Sequence, residues 1–556
     1  MKLLSVLLLF TNFCFGQNSD TSLKSVDLIV YNANIISGPF TPEYSAMVIH
    51  HGKIIAMFNN HSWKKYYASN TVMDMQKKTI LPGFIDAHCH FLGLGKAMDE
   101  VSLWGCKSWE ETVHRVAEFI NTHPELTWIQ GRGWDQNNWA HKEFPNNSLL
   151  DSLFPDKYIV LSRVDGHAVI ANSKALKFSG ITPYSYIEGG KIIKRNEKLT
   201  GVLIDNATQL VENKIPKPDT EQKIKWLMAA QTECLKYGLT QVTDAGLSIR
   251  DILLIDSLCS ADVLKMRFYL MANPDKETWK YLDAFGPFMN KNVKWQSVKI
   301  YSDGALGSRG ALLKKPYCDD KTNHGLQLID PVKLDSLLTI CYNRGLQACT
   351  HAIGDSANAM VLRAYAKFLK TTTNDRRWRI EHAQIVDPAD WHYFSTYSII
   401  PSVQPTHATS DMGWAENRLC NTRMAGAYSY KSLLANSAFM PLGTDFPVEY
   451  VSPFNTIRAA RFRQDSYGLP KEGFGKSEVL SSIETFAGMS LWAAMGNFWE
   501  TQTGTLEVGK FADFIVLDKD PYKASLIELN TLKVEETYTE GQLRYKYFKT
   551  LITPEF

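Results

Sequence analysis

Two histidines one residue apart, His88 and His90, close the apolar run Leu81-Pro82-Gly83-Phe84-Ile85-Asp86-Ala87. Side chains alternate between the faces of a strand, so the two imidazoles project together and Cys89 between them projects the other way. Side by side at a strand end, two imidazoles can serve as neighbouring ligands of one metal ion. A lone His-X-His is weak evidence, and ordinary uses compete with it. A strand-end histidine is usually hydrogen-bonded structure, a buried lysine usually forms an ion pair, and an aspartate after a strand often caps the next helix. Cys89, pointing away from its neighbours, reads as buried apolar filling.

The case for a metal rests on what the rest of the chain supplies. Between the first strand and residue 500, strand-like runs alternate with amphipathic ones, the signature of βα units around a parallel sheet. Eight candidates stand out: the run ending at His90, then Leu239–Ala245, Met266–Ala272, Val298–Asp303, Leu346–His351, Trp378–His382, Ile399–Pro405 and Phe439–Asp445. Eight such strands predict an α/β fold of the (β/α)8 TIM-barrel type, whose chemistry sits at the C-terminal ends of the strands. Those ends carry Asp244, Lys299, His351, His382 and Asp445. Four histidines, a lysine and an aspartate gathered at the ends of one barrel are hard to explain by packing.

The stretch from residue 91 to 219 is too long for a βα loop and is expected to be a subdomain inserted after strand one, with its own strand-like pieces at Thr127–Gly131 and Tyr158–Arg163. Residues 17–80 read as short strands and turns, with a hairpin turn at His51-Gly52-Lys53. Residues 501–556 read the same way. Neither segment buries two faces alone, so the two are expected to join in a small β-sandwich flanking a barrel of residues 81–500.

The 556 residues are 45% hydrophobic and 21% charged, with a net charge of +2, which describes a globular chain and gives no argument for nucleic acid or a membrane surface. Residues 1–16, with Lys2, the apolar Leu3–Phe10 and the exit Cys14-Phe15-Gly16, read as a cleaved secretory signal, hence export to a periplasm or the outside. No other apolar run reaches the roughly 18 residues that span a bilayer. The eight cysteines other than Cys14 show no paired CxxC spacing, so no disulfide scaffold is required, although an oxidising compartment permits a bridge. A homodimer is also compatible with these features.

A set of longer passages now adds to this: LPGFIDAHCH (81–90), GRGWDQNNW (131–139), DGHAVIANSKAL (165–176), TGVLIDNA (200–207), VTDAG (242–246), VKIYSDGALGSRGALL (298–313), THAIGDSAN (350–358), RIEHAQIV (379–386), QPTHATSD (404–411), LGTDFPVE (442–449) and GTLEVGKFADFIVLD (504–518). In content and order they resemble the amidohydrolase superfamily, in the amidohydrolase 3 branch related to N-substituted formamide deformylases. The resemblance implies a metal site of His88, His90, His351, His382 and Asp445, holding one or two divalent ions, zinc foremost, with Lys299 carboxylated on its amine as a bridge between two. It implies hydrolysis of a C–N bond in an amide, N-formyl or N-acyl compound, with Asp445 shuttling the proton and His167 either donating to the substrate carbonyl or serving the structure. A cyclic substrate such as a lactone or an imidazolone-like ring, hydrolysed or deaminated, is the alternative within enzymes. An exported binding protein that has lost catalysis is the alternative of another class. Trp134 and Trp139 are candidates for the pocket wall or equally for core packing, and His407 for a substrate contact. The chain departs from the family at Gly310, where a threonine is usual.

Overall fold

The computed structural model describes residues 23–370 and 374–548. The expected signal, residues 1–16, lies outside them. At the centre, seven parallel strands stand in sequence order: Phe84–Cys89, Leu239–Leu247, Arg267–Ala272, Val293–Tyr301, Gln347–Ala352, Arg379–His382 and Ile400–Ser402. Both faces are covered, which is why these strands read as nearly continuous apolar runs rather than alternating ones. Helices such as Thr220–Lys236, Ile249–Ser260, Pro331–Asn343 and Asp355–Leu369 run between them. The first three start where a side chain accepts from their first turn: Asp219 from Gln222, Ser248 from Asp251, and Asp330 from Val332 and Lys333.

The expected eighth strand, Phe439–Asp445, does not form. Residues 441–446 nevertheless close the ring, as an irregular stave. Val403 and Gly443 exchange backbone bonds with Pro441 and Val403, Ala87 donates to Leu442 at 3.1 Å, and Asp445 donates to His88 at 2.8 Å. Regular pairing fails for local reasons. Asp86 takes the backbone N–H of Thr444 with its side chain, and Asp445 adopts φ 63, outside any β conformation. Gly443 lies so close to the first strand that a Cβ there would stand 2.6 Å from the His88 nitrogen. The first strand also stops one residue before the expected end, at Cys89, and His90 immediately precedes the helix Phe91–Met98.

Strands from both ends of the chain share one eight-stranded sheet, in the order 542–546, 534–539, 514–517, 79–82, 28–36, 43–50, 53–58, with 72–74 beside 28–36. The His51-Gly52 turn joins two antiparallel strands with φ 50 and 73, the left-handed pair that a two-residue hairpin requires. Between the first and second barrel strands, residues 101–205 build a separate six-stranded sheet around its own apolar cluster, including Val101, Ile129, Leu161 and Ile204. No helix among the described residues is long and apolar enough to cross a membrane.

Candidate active site

The barrel's C-terminal ends gather the expected ligands. The free donor atoms of His88, His382 and Asp445 lie within 4.8 Å of one another, all three residues buried. His90 Nε2 stands 3.2 Å and His88 Nε2 3.6 Å from Asp445 Oδ1. The His351 ring lies edge-on to that of His382, centroids 4.6 Å apart. Lys299 Nζ is 3.0 Å from His88 Nε2. Cys89 is turned away, its thiol 3.2 Å from the Thr243 carbonyl.

Each imidazole is held in a way that suits a metal ligand. His88 Nδ1 donates to Glu381 Oε2 at 2.6 Å, His90 Nδ1 to the Ala245 carbonyl at 3.0 Å, and His382 Nδ1 bonds Gln404 Oε1 at 2.8 Å. Three outward nitrogens are thus anchored and three inward ones are left for an ion, the usual outer-sphere support of metal-binding histidines. Buried atoms with no hydrogen-bond partner among the described residues include His351 Nε2 and Asp445 Oδ1. Orphaned buried donors and acceptors are costly, and a cation among them removes that cost.

The charges agree. Burial, reinforced by the Lys299 cation, lowers the His88 pKa to about 4, keeping the ring in the neutral, ligating form. Burial takes His351 and His382 well below the ordinary histidine value. For Asp445, burial works against the charge, but His90 and His88 outweigh it and hold the carboxyl well below the usual range. Burial also lowers the Lys299 amine, which has no ion-pair partner among the described residues. An amine held between apolar neighbours in this way is more available in its neutral, nucleophilic form.

Sequence reasoning missed the layer beneath. Arg379 forms a fork on both oxygens of Glu381, at 2.7 and 3.0 Å, and Glu381 in turn holds His88. Burial opposes the Glu381 charge, but Arg379 and His88 drive its pKa strongly down. Asp86 accepts from Thr444 Oγ1 at 2.7 Å and from the His88 backbone, and burial raises it to about 7. Asp244 receives the Leu92 N–H at 3.1 Å and supports the start of the helix after His90. The signal for Glu381 was present in RIEH, where alternation puts Arg379 and Glu381 on one face.

A cavity of about 190 Å³ opens over these residues, with His90, His351, His382, His407 and Asp445 in its wall. His407 Nε2 lies 3.6 Å from Asp445 Oδ2, so it does reach the centre. The two expected tryptophans do not line the cavity. Trp134 donates to the Leu161 carbonyl and Trp139 to the Cys106 carbonyl, inside the core of the 101–205 sheet. Their short polar partners and the apolar cluster around them explain the correction. Trp104 and Trp414 take the wall positions instead. The 101–205 segment also sends in His167, whose Nδ1 bonds Asp205 Oδ1 at 2.7 Å and whose ring lies 5.2 Å from that of His351. Burial tends to discharge His167, but the Asp205 bond prevails and raises its pKa.

The sequence profile of the Amidohydrolase family matches residues 71–545. The chain belongs to the amidohydrolase family. The Arabidopsis thaliana protein LONG AFTER FAR-RED 3 is 31% identical over 93% of this chain and 91% of its own length. The N-substituted formamide deformylase of Arthrobacter pascens is 26% identical over 94% of this chain and 98% of its own. Among solved structures, an uncharacterized metal-dependent hydrolase from Pyrococcus horikoshii superposes with a TM-score of 0.74 at 25% identity, covering 93% of this chain and all of the other.

Proposed function

We propose that this amidohydrolase cleaves the C–N bond of an amide, N-formyl or N-acyl compound of small size, using His88, His90, His351, His382 and Asp445 to hold one or two divalent ions. The observation that carries the reading is the triple anchoring of His88, His90 and His382 through Nδ1, with the Nε2 atoms of His88 and His90 turned to Asp445. Imidazole and carboxylate donors suit zinc. A bound ion would activate water near neutral pH and polarise the substrate carbonyl. Lys299, buried and without a carboxylate partner, would add carbon dioxide at Nζ with loss of a proton, and the resulting carbamate would bridge two ions.

The chain's own residues supply the proton path. Asp445, held as the carboxylate, accepts the proton of the attacking water and passes it to the departing amine, so one group serves as base and then as acid. His167, whose protonated form the Asp205 carboxylate favours, donates from Nε2 to the carbonyl oxygen as negative charge develops there. The relative that acts on N-substituted formamides supports the C–N choice. Export is supported by the Cys318–Cys420 disulfide, whose Cα atoms are 5.8 Å apart, because such bonds persist in oxidising compartments.

The test is a panel of N-formyl, N-acyl, dipeptide and lactone compounds offered to zinc-loaded protein. Turnover of the N-formyl or N-acyl members is the expected outcome. Turnover confined to lactones would overturn the C–N reading, and none at all would overturn the catalytic one.

A further inference from the structure

His167 is joined to Asp205 twice. Asp205 ends the strand Lys198–Asp205, which runs antiparallel to Ala168–Ala171 just after His167. Its backbone N–H donates to the His167 carbonyl at 2.8 Å, and its side chain holds the His167 ring. To do both, Asp205 adopts φ 50, ψ −128, a region that residues with a Cβ rarely enter. Conformations of this kind are costly and persist only where the surroundings over-determine them.

The carboxylate occupies an expensive place as well. Asp205 is 93% buried, and Oδ2 has no hydrogen-bond partner among the described residues. Packing alone would be better served by an apolar side chain. Room for it is made from a distant part of the chain, the loop after the fourth barrel strand. A Cβ at Gly304 or at Gly310 would each stand 2.4 Å from Asp205 Oδ2. At position 310 any residue larger than glycine would press on this carboxylate.

We propose that Asp205 is the positioning residue of His167, and that the strained turn at Asp205 with the space left by Gly304 and Gly310 exists to fix that ring. With Nδ1 engaged, Nε2 is the nitrogen left to face the cavity shared with His351 and Asp445. The inference rests on the reading of His167 as a donor to substrate, and its test has an arm that needs no substrate.

In zinc-loaded protein labelled with 15N-histidine, a protected Nδ1–H signal is expected that disappears in His167→Ala. Asp205→Ala should abolish the same signal, and Gly310→Ala should weaken it while leaving the carboxylate in the chain. The latter variant keeps the question open to measurement if the former does not fold. For a substrate found in the panel, Asp205→Ala should lower kcat by roughly 10- to 100-fold, with metal content unchanged. The double variant with His167→Ala should be no slower than His167→Ala alone, since coupled residues are non-additive. A His167 signal unaltered by Asp205→Ala, or rate losses that multiply in the double variant, would overturn the proposal. If parent protein hydrolyses nothing, the C–N reading fails while the spectrum still decides whether Asp205 positions His167.

Discussion

The centre is built so that a column of alternating charge ends on a neutral ligand. Arg379 neutralises Glu381, Glu381 fixes the Nδ1 proton of His88, and His88 Nε2 is turned inward towards Lys299 Nζ and Asp445. Removing the charge at Glu381 leaves Arg379 buried without its counter-ion and lets the His88 ring turn. Glu381→Gln should therefore weaken zinc affinity by about 10- to 100-fold, read by competition with a chelator of known affinity. Asp445→Asn has a different signature. Its carbonyl oxygen remains a possible ligand, but it carries no proton, so zinc content should stay near that of the parent while kcat falls by about 10²-fold or more. Parent-like turnover in that variant would remove Asp445 from the proton path. Lys299→Ala separates one ion from two. Metal analysis should find one equivalent or fewer, and two tightly held ions would rule out the bridging carbamate.

At the scale of elements, the stave 441–446 carries the most weight for its length. It closes the ring, presents Asp445, and is held by the Asp86 side chain rather than by a regular ladder. Gly443→Ala would force a Cβ against the His88 backbone at 2.6 Å and 2.8 Å, where no flexible side chain can yield. A loss of about 1–3 kcal/mol is expected from such crowding, seen as a lower Tm, together with reduced zinc content because Asp445 is displaced. This stave also marks where the sequence ceases to be legible. Phe439–Asp445 has a strand's composition, and nothing local reveals that Asp86, some 350 residues earlier in the chain, takes the Thr444 N–H. The residues gathered at the centre were legible because His, Lys and Asp at strand ends are chemically conspicuous and alternation fixes their direction. Arg379 and Glu381 lay within a quoted motif, but their partner, His88, could be found only by folding. Trp134 and Trp139 stayed undecided between wall and core for the same reason. An indole is suited equally to a core and to a pocket wall, and only the carbonyls of Leu161 and Cys106 decide which.

At the scale of the whole molecule, the barrel and the 101–205 segment bury acids and bases together, and their linkage to pH runs in opposite directions. The folded pKa of His88 is lowered to about 4 from an ordinary value near 6.5. Between those values the unfolded chain binds more protons, so the stability that His88 contributes above pH 6.5 is lost as pH falls towards 4. His351 and His382 act in the same sense. Asp86 and Asp303 do the reverse. Burial raises both to about 7, so the folded chain binds more protons than the unfolded one between pH 4 and 7. Their contribution is complete below pH 4 and is lost as pH rises through 7. The two sets offset across the same window. The Tm of zinc-free protein should accordingly change little between pH 4.5 and 7. The increment in Tm that zinc adds should persist to about pH 5 and shrink only towards pH 4, because His88 is already deprotonated in the folded, metal-free site and yields no proton on binding. Calorimetric scans at pH 4.5, 5.5, 6.5 and 7.5, with zinc and with chelator, measure both quantities. A steep rise in the zinc-free Tm between pH 4.5 and 6.5 would mean that the histidines titrate without opposition, and that Asp86 and Asp303 are ionised in spite of their burial.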